Sequence, residues 1–111
     1  MSIDPAEAIL VFMTAADGAE AGRLAEMLVE KRLAACVQIL PQIDSVFRWQ
    51  GNIERQPEIL LLGKTTRAKF ADLEREVRAV HSYETPEIVA VPLAAGSIPY
   101  LQWLNDSLKE T

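Results

Sequence analysis

A single cysteine in 111 residues cannot close an internal disulfide. That excludes a small secreted scaffold held by bridges and points to a reducing cytoplasm. Basic residues are also short, eleven against sixteen acidic ones, and the net charge is −5. With no Lys/Arg cluster the chain would repel phosphate, so no nucleic-acid partner is expected. No apolar run nears the ~20 residues that cross a bilayer, so no membrane partner is expected either. The opening MSIDPAEA has neither a basic start nor an apolar stretch. No signal peptide is therefore expected, and residues 1–7 are expected to be loosely ordered. Also missing are a phosphate loop, a nucleophile elbow, a zinc-spaced Cys/His set and a paired catalytic carboxylate motif. Without a visible nucleophile–base pair, an enzyme is not expected, and no cofactor is required. Neither a repeat nor a low-complexity stretch interrupts the chain.

What is present is a chain that is 50% hydrophobic and 24% charged, enough for one core, so residues 1–111 are expected to form a single domain. Ala8 to Thr14 (AILVFMT) is a short continuous apolar run, the pattern of a strand buried on both faces. Asp17 stands three residues before Glu20, a capping-box-like start for a helix from Gly18 to about Arg32, with Leu24, Met27 and Leu28 on its apolar side. Thr66 is placed to cap a second helix, Arg67 to about Val80, in which Phe70, Leu73, Val77 and Val80 form one stripe. Glu87 to Leu93 reads as another apolar strand. Ser97 is placed to cap a last helix carrying Leu101, Leu104 and Leu108, with Trp103 off the stripe and so half exposed or covered by another chain.

Between the first two helices lies the organising stretch, Leu33 to Thr66. Two β-rich arms flank Trp49-Gln50-Gly51-Asn52, a hairpin signal. Unbroken, the arm Leu33–Trp49 would reach ~56 Å at ~3.3 Å per residue, whereas a compact chain of this length is roughly 35 Å across. The arm must bend, with Pro41 the natural place for a bulge, or project onto a neighbour. Pro57 marks a second bulge or edge. Past Gly51 the alternation puts Glu54, Gln56 and Glu58 on one face and Ile53 and Ile59 on the other. The order β-α-β-β-α-β with a C-terminal helix predicts an α+β, ferredoxin-like sandwich with a long protruding hairpin. Its open sheet face needs apolar cover, which self-association would supply.

Five segments in order, KRLAACV (31–37), SVFRWQGNI (45–53), Lys64-Thr65, HSYETPEI (81–88) and YLQWL (100–104), together resemble the CutA divalent-cation tolerance family. The resemblance implies a homotrimer in which the hairpin arms reach neighbouring subunits. It implies a role in the response to divalent metal ions, copper above all, through weak Cu(II) binding, and no established reaction. The trimeric fold of that family also looks like the PII signalling proteins, so the alternative is a small effector bound in clefts between subunits.

Candidate residues follow. By the resemblance, His81 is the metal ligand, with Met13 at a family ligand position offering a weak thioether; Ser82 and Val80 replace a proline and, relative to some members, a histidine. The plainer reading of His81 is a helix-terminus cap. Lys64, leaving a core strand near a helix start, would hold an anion or merely snorkel. Tyr83, Glu84 and Glu87 would join it in a ligand cleft, or hydrogen-bond the subunits together. Arg48 and Trp49 at the hairpin tip, with Trp103, are expected at the trimer interface. Cys36, in an apolar run, reads as a small buried hydrophobe.

Overall fold

A computed structural model describes residues 7–110. The expectation for the first residues, Glu7 apart, lies outside them. The elements run β1 (Ala8–Ala15), α1 (Gly18–Glu30), β2 (Cys36–Trp49), β3 (Asn52–Thr66), α2 (Arg67–Val80), β4 (Ile88–Pro92) and α3 (Ile98–Ser107). The sheet order is β2-β3-β1-β4, and every pairing is antiparallel. This is the split β-α-β arrangement the element order predicts.

Strand parity decides where the core lies. Ile9, Val11, Met13 and Ala15 of β1 point to one face and are buried against Ala21, Leu24 and Leu28 of α1 and Leu73 and Val77 of α2. Each such leucine contributes about 1.5–3 kcal/mol by leaving water. Val80, at the end of the predicted α2 stripe, is instead exposed, because the helix ends there and carries it past the sheet. The last helix packs apart from this core, with Leu104 and Leu108 against Ala35. The even-numbered residues of β1 face the other way, towards an open surface that also carries Val89 and Val91, both exposed.

Capping is partly as expected. Asp17 accepts the Glu20 N–H at 2.9 Å, but the Glu20 carboxylate reaches back to Ala16 N–H rather than to the cap residue itself. Thr66 and Ser97 stand at N-cap positions without a side-chain cap bond. The Thr66 neighbour, Thr65, turns inward and donates to Leu33 O at 2.7 Å in a fully buried setting.

The hairpin closes through Gln50 and Gly51, with φ of 48° and 84°. Two successive positive-φ residues make the type I′ turn whose twist matches paired strands. The long arm does bend. Leu40 opposes Leu60, but Ile43 opposes Glu58, so Pro41 and Gln42 share one partner position in a bulge. The bulge inverts parity along β2: Leu40 faces the open side before it, and Ile43, Ser45, Phe47 and Trp49 face that side after it. Pro57 causes no second bulge; it opposes Asp44 in register, at a point where β3 has run past the end of β1 and no donor is needed on that edge. Beyond the Ala15–Ile59 pair the two arms have no strand partner but each other, and the protomer is 50 Å long against 27 and 23 Å in its other directions.

Candidate functional site

At the bottom end of β1, where α1 starts and α2 stops, four side chains meet in a buried network. His81, the residue that ends α2, has a fully buried ring. Its Nε2 lies 2.8 Å from Thr14 O, a carbonyl that can only accept, so Nε2 carries the proton. Its Nδ1 is then the acceptor of the Tyr83 N–H at 3.0 Å. Glu20 Oε2 stands 3.8 Å from the same Nδ1 and accepts the Ser82 N–H at 2.7 Å, while Oε1 accepts the Ser82 hydroxyl at 2.9 Å. Burial alone would raise the Glu20 pKa, but the hydrogen bonds from Ala16 and Ser82, helped by His81, outweigh it and hold the carboxyl below its usual value.

This geometry corrects the expectation of His81 as a ready metal ligand. Both ring nitrogens are engaged by backbone groups, and no lone pair is left for a cation. Met13 is likewise enclosed: it is fully buried, and a Cβ added at Gly63 would sit 3.2 Å from its methyl carbon. Among the described residues, no group of three His, Cys, Asp or Glu side chains is placed to hold a metal ion. Cys36 is partly buried and makes no disulfide.

Tyr83 leads from this network to the open face of the sheet. Its hydroxyl donates to Glu58 Oε2 at 2.8 Å, and its ring lies 4.8 Å from that of His81. Burial, then the Glu58 bond and charge, push its pKa up to about 12, so the hydroxyl stays a donor at neutral pH. Glu58 lines a cleft of about 620 Å³ between the outer hairpin and the loop that carries Tyr83, Glu84 and Glu87. The floor comes from the residues that the bulge turns to this side, Ser45, Phe47 and Trp49, and from Gln56 and Glu54, which oppose the first two.

Tyr83, Glu84 and Glu87 are thus brought together as expected; Lys64 is not. It sits six positions further along β3, opposite Leu10 and Cys36, where its ammonium donates to Tyr100 OH at 3.2 Å and lies 5.2 Å from that ring's centroid. At ~3.3 Å per residue this places Lys64 roughly 20 Å from Glu58, outside the cleft of its own protomer. Trp103 stacks obliquely on Tyr100 at 5.4 Å and is 46% exposed. Arg48 and Trp49 are exposed at the tip, with Trp49 also lining the cleft. Sequence reasoning missed Glu20 as more than a cap and Glu58 as a site residue. The signal for Glu58 was present, since it shares a face with Glu54 and directly precedes the apolar run Ile59–Leu62.

Comparison with known proteins fits this architecture. The family profile described as CutA1 divalent ion tolerance protein matches residues 9–107. The divalent-cation tolerance protein CutA of Thermus thermophilus is 46% identical over 98 residues, covering 88% of this chain and 95% of that protein. The human protein CutA is 42% identical over 101 residues, which span 91% of this chain but only 56% of the human protein. Among solved structures, the periplasmic divalent cation tolerance protein CutA from Archaeoglobus fulgidus superposes with a TM-score of 0.89 at 41% identity, over 92% of this chain and 99% of that one. No helix among the described residues is long and apolar enough to cross a membrane. The chain belongs to the CutA1 divalent ion tolerance family.

Proposed function

We propose that this chain acts in divalent-metal tolerance as a cytoplasmic homotrimer that binds Cu(II) weakly, with the metal held between subunits. The observation that carries the reading is the family match over residues 9–107, joined to a protomer that lacks a preformed metal cage among its described residues. A site assembled from one or two exposed carboxylates per subunit, Glu84 and Glu87 being the nearest to hand, would bind a divalent ion loosely. Copper prefers imidazole, but His81 would have to give up the Tyr83 N–H first, which again makes for weak binding. The trimer is supported by the open sheet face, where Leu40, Phe47, Trp49, Val89 and Val91 are all exposed. A patch of this kind is rarely left to water. Arg48, Trp49 and Trp103 would lie at the subunit contacts. The lone free cysteine fits a reducing compartment.

Calorimetric titration of Cu(II) into the sized assembly tests this, run on wild type, on His81→Ala and on Glu84→Gln/Glu87→Gln. Binding at a whole-number ratio per trimer that is lost in the carboxylate variant supports the reading. Loss in His81→Ala alone would move the metal to the imidazole, and no binding in wild type would refute it.

A second reading, a small-ligand cleft, is favoured by the convergence of Tyr83, Glu84 and Glu87 on one cavity. Its volume falls within the range of small-molecule sites. Displacement of Lys64 from that cavity removes the cation an acidic effector would need.

A further inference from the structure

We propose that α3 is a strap over the root of the long hairpin, released as a unit while the rest of the fold stays closed, and that Arg32 is the clasp that sets how often it opens. The inference depends on neither copper nor the cleft.

A strained residue carries it. α1 ends in a Schellman turn, in which the Leu33 N–H donates to Leu28 O at 2.9 Å and the Arg32 N–H to Val29 O at 3.1 Å. That turn needs the left-handed region at Arg32, whose φ is 57°, and glycine is the residue that occupies it without steric cost. Among the described residues the only other non-glycine in this region is Gln50, in a hairpin turn that demands it. What glycine could not supply is a side chain. Arg32 Nη1 donates to Ser107 O at 2.9 Å, across 75 residues of sequence. Ser107 is the last residue of α3, so its carbonyl is one of those a helix leaves without an internal partner, at the end that favours a cation. α3 has no basic residue in its own last turn, and Lys109 just beyond it is paired with Asp106. The guanidinium from the end of α1 supplies that charge. A strained backbone kept for so distant a contact points to a role beyond the turn.

Little else holds α3. Its Leu104 and Leu108 pack on Ala35 in a cluster separate from the core under α1 and α2. Leu101 is buried against Gly96, on the loop that leads into the same helix. Ser97 makes no side-chain cap bond. Apart from Arg32, the one polar side-chain tie from α3 to the sheet among the described residues is the exposed Lys64–Tyr100 bond of 3.2 Å. An element with few buried contacts opens ahead of the core. Its seat is the hairpin root. The Ala35 N–H donates to Lys64 O at 2.9 Å, beside the Cys36–Lys64 pair with which the β2–β3 ladder begins. Release of α3 therefore lets water reach that first rung and frees the Lys64 ammonium.

Backbone hydrogen exchange of the assembled protein, resolved to single amides by NMR, is the test. In wild type the amides of Leu101 to Ser107 and of Ala35 are expected to exchange about tenfold or more faster than those of Leu24 to Leu28 in α1. Arg32→Gly keeps the turn, relaxes its backbone and removes the clasp. Exchange in α3 and at Ala35 is then expected to rise about tenfold, with α1 exchange unchanged or slower. Arg32→Lys keeps a single donor and should fall between the two. Leu108→Ala, which trims the separate cluster, should speed the same amides and leave α1 alone, so the strap is tested even if the Arg32 variants do not assemble. The proposal falls if α3 exchanges in step with α1, if Arg32→Gly leaves α3 exchange as in wild type, or if Ala35 follows α1. Exchange that slows as protein concentration is raised would make the opening a by-product of subunit dissociation, and would overturn it as well.

Discussion

Glu20 and Ser82 lie sixty-two residues apart in sequence, yet Glu20 Oε2 accepts the Ser82 backbone N–H at 2.7 Å. This bond ties the start of α1 to the loop after α2 and fixes where Tyr83 enters the cleft. One carboxylate therefore serves as helix-start acceptor for Ala16 and as clasp for Ser82. In Glu20→Gln, an amide NH₂ replaces one acceptor and meets an N–H donor, which costs about 1–3 kcal/mol. Urea denaturation at neutral pH measures the loss.

The same carboxylate sets an acid limit. Its pKa is lowered in the folded chain, so in acid the unfolded chain takes up the proton first. The stabilisation is present above the ordinary carboxylate pKa and is lost as pH falls through the lowered folded value. The wild-type unfolding midpoint is expected to drop across that window, and the Glu20→Gln midpoint to drop less. Equal slopes for the two proteins would show that Glu20 is not the group responsible.

Thr65 offers a cleaner deletion of a single buried bond. Its hydroxyl donates to Leu33 O at 2.7 Å with no exposure to solvent. Thr65→Val keeps the volume and removes the donor, so a loss of about 1–3 kcal/mol is expected in chemical denaturation. Thr65→Ser, which keeps the donor, is expected to lose less than Thr65→Val.

At the hairpin tip the cost is in the backbone. A Cβ at Gly51 would meet nothing within 4 Å, yet φ is +84°. Gly51→Ala is therefore expected to cost about 1–2 kcal/mol without any steric clash. Gln50→Asn, at φ of 48°, is expected to gain roughly 0.5 kcal/mol, since asparagine tolerates the left-handed region better. Thermal unfolding of the two variants should move in opposite directions.

Val89 tests the open face. It is 53% exposed in the protomer, so Val89→Glu should leave the isolated fold intact. If the face is buried between copies, the substitution places a charge in an apolar contact and shifts light-scattering mass from about three chains towards one. An unchanged mass would remove this face from the subunit contact.

The fold was legible because strand and helix signals agreed with their surroundings. Arg67 to Val80 has the bounds of α2 that its apolar spacing predicts, and the bulge lies at Pro41 because an overlong arm and a missing N–H coincide there. The site was legible only where its members are neighbours in sequence. Tyr83, Glu84 and Glu87 fall together on one loop. Lys64 was grouped with them by composition, and its six-position offset along β3 became visible only once the β1–β3 register was known. His81 shows the same limit. Its ligand role depends on a free ring lone pair; that Nε2–H is spent on Thr14 O and the Nδ1 lone pair on Tyr83 N–H is a tertiary fact that no spacing records.

The bulge at Pro41 and Gln42 works as a reading-frame correction within β2. Because two residues occupy one pairing position, the odd-numbered side chains of the outer arm come to the open side; in an uninterrupted ladder Val46 and Arg48 would stand there in place of Phe47 and Trp49. Excising Gln42 would straighten the arm and leave every later side chain on its present side, since the extra residue would vanish with its compensation. Excising a residue beyond the bulge would instead turn over everything between that point and the tip. Curvature and chemical inventory are thus separately adjustable in this hairpin, and the helix-packed half of the sheet is indifferent to either change.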